Sequence, residues 1–204
     1  MPVIPPATWS LIIINSVVFI LQFVGGDALF ANFALWPTGA SQLSELEGVG
    51  FEPWQLVTYS FLHGGIMHLA LNMLALYMFG SDIERLFGQR RYLTYYFVSV
   101  IAAAITQLVV ANATGSHYPT VGASGGVFGL LLAYGIYFPR RMIMLLFPPI
   151  PMPAWLFVIV YAGIELYLGV TGTQAGVAHF AHLGGMLGGI LMLRYWRRRP
   201  PRRW

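Results

Sequence analysis

Six apolar stretches divide this chain, and each is about long enough to cross a lipid bilayer. A membrane-spanning helix needs about 20 apolar residues, and about 17 still suffice. The stretches cover residues 8–24, 56–79, 92–111, 122–138, 154–170 and 176–195. They leave no room for a soluble domain, and only 9% of the residues are charged, too few to cover the surface of a soluble globule. The sequence therefore predicts an all-α, single-domain bundle of six membrane spans.

The arginines predict the orientation of this bundle. All eleven basic residues are arginine, and they follow spans two, four and six, whereas four of the seven acids lie between spans one and two. Because basic residues are enriched in cytoplasmic loops, we expect a multi-pass protein of the cell (inner) membrane with both termini inside. The basic tail, residues 196–204, is expected to contact anionic membrane lipid and to orient the chain rather than to bind nucleic acid.

One connection is unusually long. Residues 25–55 contain five aromatic side chains but no span-length apolar run, and they lie on the predicted outer side. Long connections with their own apolar residues are usually functional or interfacial. The chain has no cysteine, which excludes disulfides, cysteine nucleophiles and cysteine-ligated metals.

Polar side chains inside membrane spans are costly and mark functional sites. Three spans carry them in their outer halves: His63, His68 and Asn72 in span two, Ser124 in span four, and His179 and His182 in span six. At a rise of 1.5 Å per residue, Ser124 and His182 lie roughly 3 and 9 Å below the outer end. We therefore expect the serine and the imidazole to meet.

Glycines predict which helices approach closely. Span four has Gly125 and Gly129 at four-residue spacing, and span six repeats this spacing at Gly185 and Gly189. Such spacing lets helix backbones nearly touch. His182 shares one helical face with both span-six glycines, so this face is predicted to contact span four.

Two chemistries remain open from the residues alone. In the first, Ser124 is a nucleophile, His182 its general base, and His68 and Asn72 stabilise an oxyanion. Glycines such as Gly122 and Gly125 would let the backbone approach a substrate. In the second, the chain is a His-rich metal-binding or transport protein that binds a metal ion through the span-two and span-six histidines, but this leaves Ser124 and its glycines unexplained.

Two further residues need local explanations. His63 and His68 point about 140° apart on an ideal helix, so both can face one site only if the helix starts between them, and Gly64-Gly65 makes such a break plausible. Glu165 in span five is expected to be protonated and hydrogen-bonded between helices. An ionised carboxylate there would carry a desolvation cost that a transient imidazolium would not offset, so we predict a Ser–His dyad without an acid.

Three separated motifs resemble the rhomboid family of intramembrane serine proteases. They are FLHGGIMHLALNM at 61–73, GASGGVFG at 122–129 and AHLGGMLGG at 181–189. The resemblance implies a six-helix bundle with a water-filled cavity open to the outside, which cleaves transmembrane segments of other proteins near their outer ends without metal or organic cofactor. It places the nucleophile at Ser124, the catalytic histidine at His182 rather than His179, and the oxyanion residues at His68 and Asn72.

The resemblance also assigns supporting roles and shows departures. It implies that His63 holds the loop after span one, and that Glu84 is a structural acid, which we expect to pair with a neighbouring arginine. Where the family often has arginine, this chain has Gln55, so no ion pair from this position is expected to anchor the first loop. Phe128 stands where many members carry a tyrosine next to the histidine.

Overall fold

The computed structural model describes residues 4–38, 49–144, 149–172 and 178–198. Helices dominate these residues: α1 (Pro6–Phe33), α2 (Gln55–Thr58), α3 (Ile66–Ala75), α4 (Ser81–Phe87), α5 (Gln89–Thr114), α6 (Ser124–Tyr137), α7 (Ala154–Thr171) and α8 (His179–Arg198). A 3₁₀ turn, Tyr59–Phe61, follows α2, and a π-helical turn, Leu76–Gly80, joins α3 to α4. The segment Ile66–Phe87 is therefore one continuous helix.

The long helices form a bundle suited to a membrane. Helices α1, α5 and α7 and the continuous helix Ile66–Phe87 have the length and apolar composition needed to cross a bilayer, and α6 is a shorter apolar helix beside them. Large apolar side chains on the outer face of α7 are solvent-exposed in the isolated chain, such as Ile159 and Val170. These features confirm the predicted all-α, polytopic membrane bundle.

Helices α5, α6 and α8 form the centre of the bundle, and small residues let them approach. A side chain at Gly184 or Gly188 of α8 would collide with α5, because its Cβ would lie 2.5 Å from Oγ1 of Thr106 or from Cβ of Ala102 respectively. The Tyr95 hydroxyl of α5 donates a hydrogen bond of 2.9 Å to the Gly129 carbonyl of α6. A buried polar group needs such a partner.

Arginines and aromatic residues collect at one end of the bundle. Asp82 pairs with Arg85 at 3.1 Å and also with Arg141. The guanidinium of Arg91 lies 5.6 Å from the centre of the Trp196 ring. Two short antiparallel strands close the same end, β1 (Met142–Met144) and β2 (Pro151–Pro153). We call this the arginine-rich end.

The helix boundaries differ from the predicted spans at two places. Residues 25–33, expected in the long loop, are the end of α1, which kinks at Gly26 (φ 50°, ψ −138°) instead of stopping. Span two begins only at Ile66, because Gly65 adopts an extended conformation that ends the preceding turn. The predicted break between His63 and His68 is thus present. Residues 39–48 of the predicted loop and 199–204 of the predicted tail lie outside the described residues.

The expected pairing of Glu84 with an arginine is wrong. Its carboxylate instead accepts hydrogen bonds from the backbone N–H groups of Ala7 (2.9 Å) and Thr8 (2.6 Å) and from the Thr8 hydroxyl (2.8 Å). The first N–H groups of a helix have no intrahelical partner and attract negative charge. Glu84 therefore caps α1 from another helix, and Asp82 binds the arginines.

Candidate active site

Ser124 is the first residue of α6, and the turn before it depends on a glycine. Gly122 has φ 125°, a backbone conformation that L side chains rarely adopt. Its N–H donates to the Tyr59 carbonyl at 2.9 Å, which holds the turn against the 3₁₀ segment. A Cβ at Gly122 would also lie 2.7 Å from the His68 ring. The turn thus brings the Ser124 backbone close to His68, with N–H groups unpaired as at any helix start.

His182 faces Ser124 from the first turn of α8. Its Nε2 lies 2.8 Å from Oγ of Ser124. The two helices meet here through backbone alone, because a Cβ at Gly185 would lie 2.0 Å from the Gly125 carbonyl oxygen. Farther along, a Cβ at Gly189 would lie 2.3 Å from the Tyr95 hydroxyl and 3.3 Å from Leu132 of α6. The glycine face of α8 therefore sets the Ser124–His182 separation.

The His182 ring is held by stacking. Phe128, one turn after Ser124, lies parallel to it with ring centroids 4.2 Å apart and an interplanar angle of 4°. Phe128 in turn packs against Tyr161 of α7 at 6.4 Å. Ring stacking by Phe128 therefore fixes the plane of the imidazole, and a hydroxyl group on that ring is not needed for this contact.

His68 and Asn72 lie on α3, and the His68 ring lies next to Gly122 in the turn before Ser124. The Gly64 N–H points at Nδ1 of His68 at 3.4 Å, a long contact in which Nδ1 is the acceptor, and this favours the neutral tautomer protonated at Nε2. That nitrogen faces Gly122. The Asn72 amide donates to the His68 carbonyl at 2.9 Å, and one of its two N–H groups remains for another acceptor.

His63 is buried, and its backbone rather than its side chain carries the hydrogen bonds found among the described residues. The His63 N–H donates to the Gln22 side chain at 3.0 Å, and the Gln22 amide donates back to the His63 carbonyl at 2.9 Å. The His63 ring packs edge-on against the His68 ring at 5.1 Å. Gln22 of α1 therefore holds the segment that leads into α3.

Gln55, rather than an ion pair, anchors the described parts of the loop after α1. Its side chain is 1% exposed. The side-chain carbonyl accepts from the Trp36 N–H at 3.2 Å, and the amide donates to the Gly50 carbonyl at 3.1 Å. A two-way backbone bridge between Leu35 and Thr120 then ties the loop to the segment before Ser124.

Glu165, expected to form a hydrogen bond between helices and not to serve as a catalytic acid, lies directly behind His182. Its Oε2 is 2.6 Å from Nδ1 of His179 and 2.9 Å from Nδ1 of His182. The first contact is a hydrogen bond. In the second contact, the Glu165 oxygen lies off the N–H direction of His182. Nδ1 of His182 therefore has no aligned hydrogen-bond partner among the described residues. The expected hydrogen bond between helices is present, but the carboxylate also faces the base.

These three side chains are also the group among the described residues that could hold a metal ion, with ligand atoms within 4.8 Å of one another. The predicted alternative of four histidines around one metal is not assembled there, because His63 and His68 are outside this group. Two ligands bound tetrahedrally at about 2.0–2.1 Å from zinc would lie about 3.3 Å apart. The contacts of 2.6 and 2.9 Å are hydrogen-bond lengths instead.

Comparison with known proteins agrees with the three sequence motifs. A family model described as the Rhomboid domain matches residues 50–199, which include Ser124, His182, His68 and Asn72. The chain belongs to the rhomboid family.

Several members of the rhomboid family are similar over most of this chain. Rhomboid protease GluP from Bacillus subtilis is 32% identical over 188 residues, which are 91% of this chain and 34% of GluP. Rhomboid protein 1, mitochondrial, from Saccharomyces cerevisiae is 30% identical over 67% of this chain and 40% of its own length. RHOMBOID-like protein 4 from Arabidopsis thaliana is 34% identical over 70% and 34%. The chain therefore spans between about a third and a half of the curated relatives it matches.

Sequence reasoning missed two residues that shape this rhomboid site. Gln22 is a polar residue in an apolar span, a signal that could have singled it out. Tyr59 holds the turn before Ser124 through its carbonyl and donates its hydroxyl to the Val100 carbonyl at 2.8 Å. Nothing in its sequence surroundings distinguishes it from other aromatic residues near membrane surfaces.

Proposed function

We propose that this rhomboid-family chain is an intramembrane serine endopeptidase with Ser124 as nucleophile and His182 as general base. The observation that carries the proposal is the 2.8 Å contact between Ser124 Oγ and His182 Nε2. A serine hydroxyl is a weak nucleophile at its own pKa and needs an adjacent base. The three relatives described above are rhomboid proteins, and the name of GluP describes a protease.

The proposed reaction follows the roles of a serine hydrolase. Nε2 of His182 removes the hydroxyl proton as Oγ of Ser124 attacks the scissile carbonyl carbon, and the imidazolium then gives that proton to the departing amine. The acyl-enzyme left on Ser124 is hydrolysed by water, with His182 again acting as base. Neither step needs a metal or an organic cofactor.

The oxyanion is proposed to form between α6 and α3. The Ser124 N–H lies at the start of α6, where N–H groups have no intrahelical partner, and Nε2 of His68 faces the same turn. The free N–H of Asn72 is the third candidate donor. Preorganised donors at a developing negative charge are usually the largest single contribution to such catalysis.

The substrate class is proposed from position. The Ser124–His182 pair lies at the end of the bundle away from the arginines, which the positive-inside rule places in the cytoplasm. We propose that the active site opens to the outer side of the cell membrane, that both termini are cytoplasmic, and that the enzyme cleaves transmembrane segments of other proteins near their outer ends. Membrane lipid is the remaining proposed contact.

Incubating purified protein in detergent with a single-span membrane substrate tests the proposal. Wild type should yield product and should react at Ser124 with a fluorophosphonate probe. Ser124→Ala should do neither, whereas the control Ser10→Ala, an exposed serine on α1, should match wild type. Strong chelators should leave cleavage unchanged. Cleavage by a folded Ser124→Ala protein, or loss of cleavage on chelation, would overturn the assignment.

A further inference from the structure

The carboxylate of Glu165 occupies the position behind the proposed base that an acid holds in aqueous serine proteases. Oε2 of Glu165 lies 2.9 Å from Nδ1 of His182, while Nε2 of the same ring faces Ser124 at 2.8 Å. The side chains of His179, Glu165 and His182 are 5%, 10% and 12% exposed. The buried imidazole of His182 therefore lies between the serine at Nε2 and the carboxylate near Nδ1, although the carboxylate oxygen lies off the Nδ1–H direction.

The tautomer of His182 determines what this line can do. To accept the Ser124 proton, Nε2 must carry a lone pair, so the neutral ring carries its proton on Nδ1. That proton lies on the side of Glu165. A carboxylate there favours this tautomer over the one that could not act as base, and it faces the positive charge that forms when Nε2 is protonated.

His179 supplies the second contact that the carboxylate needs. Its Nδ1–H donates to Oε2 at 2.6 Å, and its ring stands at 88° to the His182 ring with centroids 6.4 Å apart. The prediction that Glu165 is neutral compared the desolvation cost of an ionised carboxylate with its attraction to one transient imidazolium. The structure adds a permanent donor, and charge-assisted hydrogen bonds are about twice as strong as neutral ones.

We propose that Glu165 is a positioning residue for His182 and that His179 anchors its carboxylate. The inference rests on the proposed function. Glu165 does not touch Ser124 or the scissile bond, so the chemistry remains that of Ser124 and His182. Glu165 selects the reactive tautomer of His182 and stabilises its charged form, and Phe128 keeps the ring in plane between serine and carboxylate.

Glu165→Gln tests the inference through the split between kcat and KM. The variant keeps the shape of the side chain and removes the charge. Neutralising an aligned triad acid costs about 10⁴ in kcat, and because the contact here is off-axis we expect a fall of about 10- to 1,000-fold with KM within about twofold. Asp82→Asn makes the same chemical change at the arginine-rich end and should leave kcat unchanged.

A tenfold or larger fall in kcat at unchanged KM supports the positioning role. A smaller fall, or a fall that appears in KM, overturns it. Because the wild type and Ser124→Ala decide the proposed function separately, a fast Glu165→Gln enzyme would refute only the role of Glu165. A wild type that neither cleaves nor labels would refute the proposed function itself.

A measurement on unaltered Glu165 covers the case in which Glu165→Gln does not fold. In the wild-type protein with Ser124 phosphonylated, proton NMR with ¹⁵N-labelled histidine should show an Nδ1 proton far downfield, as expected for an imidazolium hydrogen-bonded to a carboxylate. The signal should persist in His179→Gln, which removes the other imidazole at Glu165. Its absence from phosphonylated wild type would overturn the inference.

Discussion

Helices α8 and α7 both border the Ser124–His182 pair, but they are packed in opposite ways. Glycines of α8 at 184, 185, 188 and 189 each have a neighbouring atom within 2.0 to 2.5 Å of where a Cβ would lie, whereas Gly163 of α7 has none within 4 Å. Both helices expose large apolar residues, but those of α7 are the more exposed, with Tyr167 65% and Val170 72% exposed against Leu187 52% and Leu191 56% on α8. The proposed base thus lies on a helix whose glycines pack closely against α5 and α6, and Glu165 lies on a helix whose Gly163 meets open space.

This contrast shows that a small residue in a membrane helix does not by itself indicate close contact. Gly185 permits the approach of α6, and Gly163 faces open space that lipid would fill. The distinction matters because a displacement of about 1 Å in an active site can cost about 10² in rate. The precision of the Ser124–His182 contact therefore depends on α8.

The largest expected effect is a difference in activity between alanine variants of the two histidines of α8. His182→Ala should lower kcat by a factor on the order of 10⁶, as for a serine protease that loses its base, and should abolish fluorophosphonate labelling of Ser124. His179→Ala, which removes only the anchor of Glu165, should retain measurable cleavage and labelling. Turnover and labelling of both purified variants check this, and the reverse ranking would move the base to His179.

The second largest expected effect tests whether α3, which has exposed apolar residues as α7 does, contributes the proposed oxyanion donors. On α3, Met67 is 67% exposed, yet its neighbour His68 faces the turn before Ser124. Removing an oxyanion donor costs about 10²–10³ in rate, so His68→Ala and Asn72→Ala should each slow kcat by about this factor. Met67→Ala is the matched control. Folded His68→Ala and Asn72→Ala proteins that cleave at the wild-type rate would remove α3 from the site.

A glycine pair tests the packing contrast directly. Gly185→Ala pushes a methyl group into the Gly125 carbonyl, so α6 and α8 must separate, and we expect a loss of about 10² in kcat and a destabilisation of at least about 1–3 kcal/mol. Gly163→Ala places the same methyl group in open space, so it should leave kcat unchanged and should not lower stability, since alanine favours the helix by up to about 1 kcal/mol. Thermal unfolding in detergent and turnover measure both effects. Equal behaviour of the two variants would contradict the contrast between α7 and α8.

The smallest effect concerns a region away from both helices. Gln55→Ala leaves the buried Trp36 N–H without its partner, which should cost about 1–3 kcal/mol of stability while kcat changes by less than about tenfold. Gln89→Ala, at an exposed position, should cost nothing measurable. Chemical denaturation in detergent compares the two. A wild-type stability for Gln55→Ala would show that the Gln55 hydrogen bonds do not hold the loop.

The sequence predicted those features of the site that depend only on depth along a membrane span. Depth along a span follows from residue number and a rise of 1.5 Å per residue, and this placed Ser124 and His182 at similar heights. The same count places Glu165, about eleven residues above the inner end of span five, near the height of His182. Whether the carboxylate points at His182 depends on rotation about the α7 axis, which changes by about 100° per residue and is set by packing between helices.

Other failures have the same origin in tertiary contact. Span one is expected to end at residue 24, but α1 only kinks at Gly26 and continues to Phe33. Glu84 has arginines as sequence neighbours, but the unpaired N–H groups of Ala7 and Thr8 are closer to it in space. Local sequence names the available partners, and only the fold decides which of them meet.

The contact between Glu84 and the start of α1 also bears on the order in which the protein can be assembled. The Ala7 N–H and its acceptor Glu84 are 77 positions apart in the chain. The ribosome therefore synthesises the start of α1 well before Glu84. Unpaired N–H groups are costly in a bilayer. The N–H groups at the start of α1 therefore lack this acceptor until the helical segment Ile66–Phe87 has been synthesised and has packed beside α1.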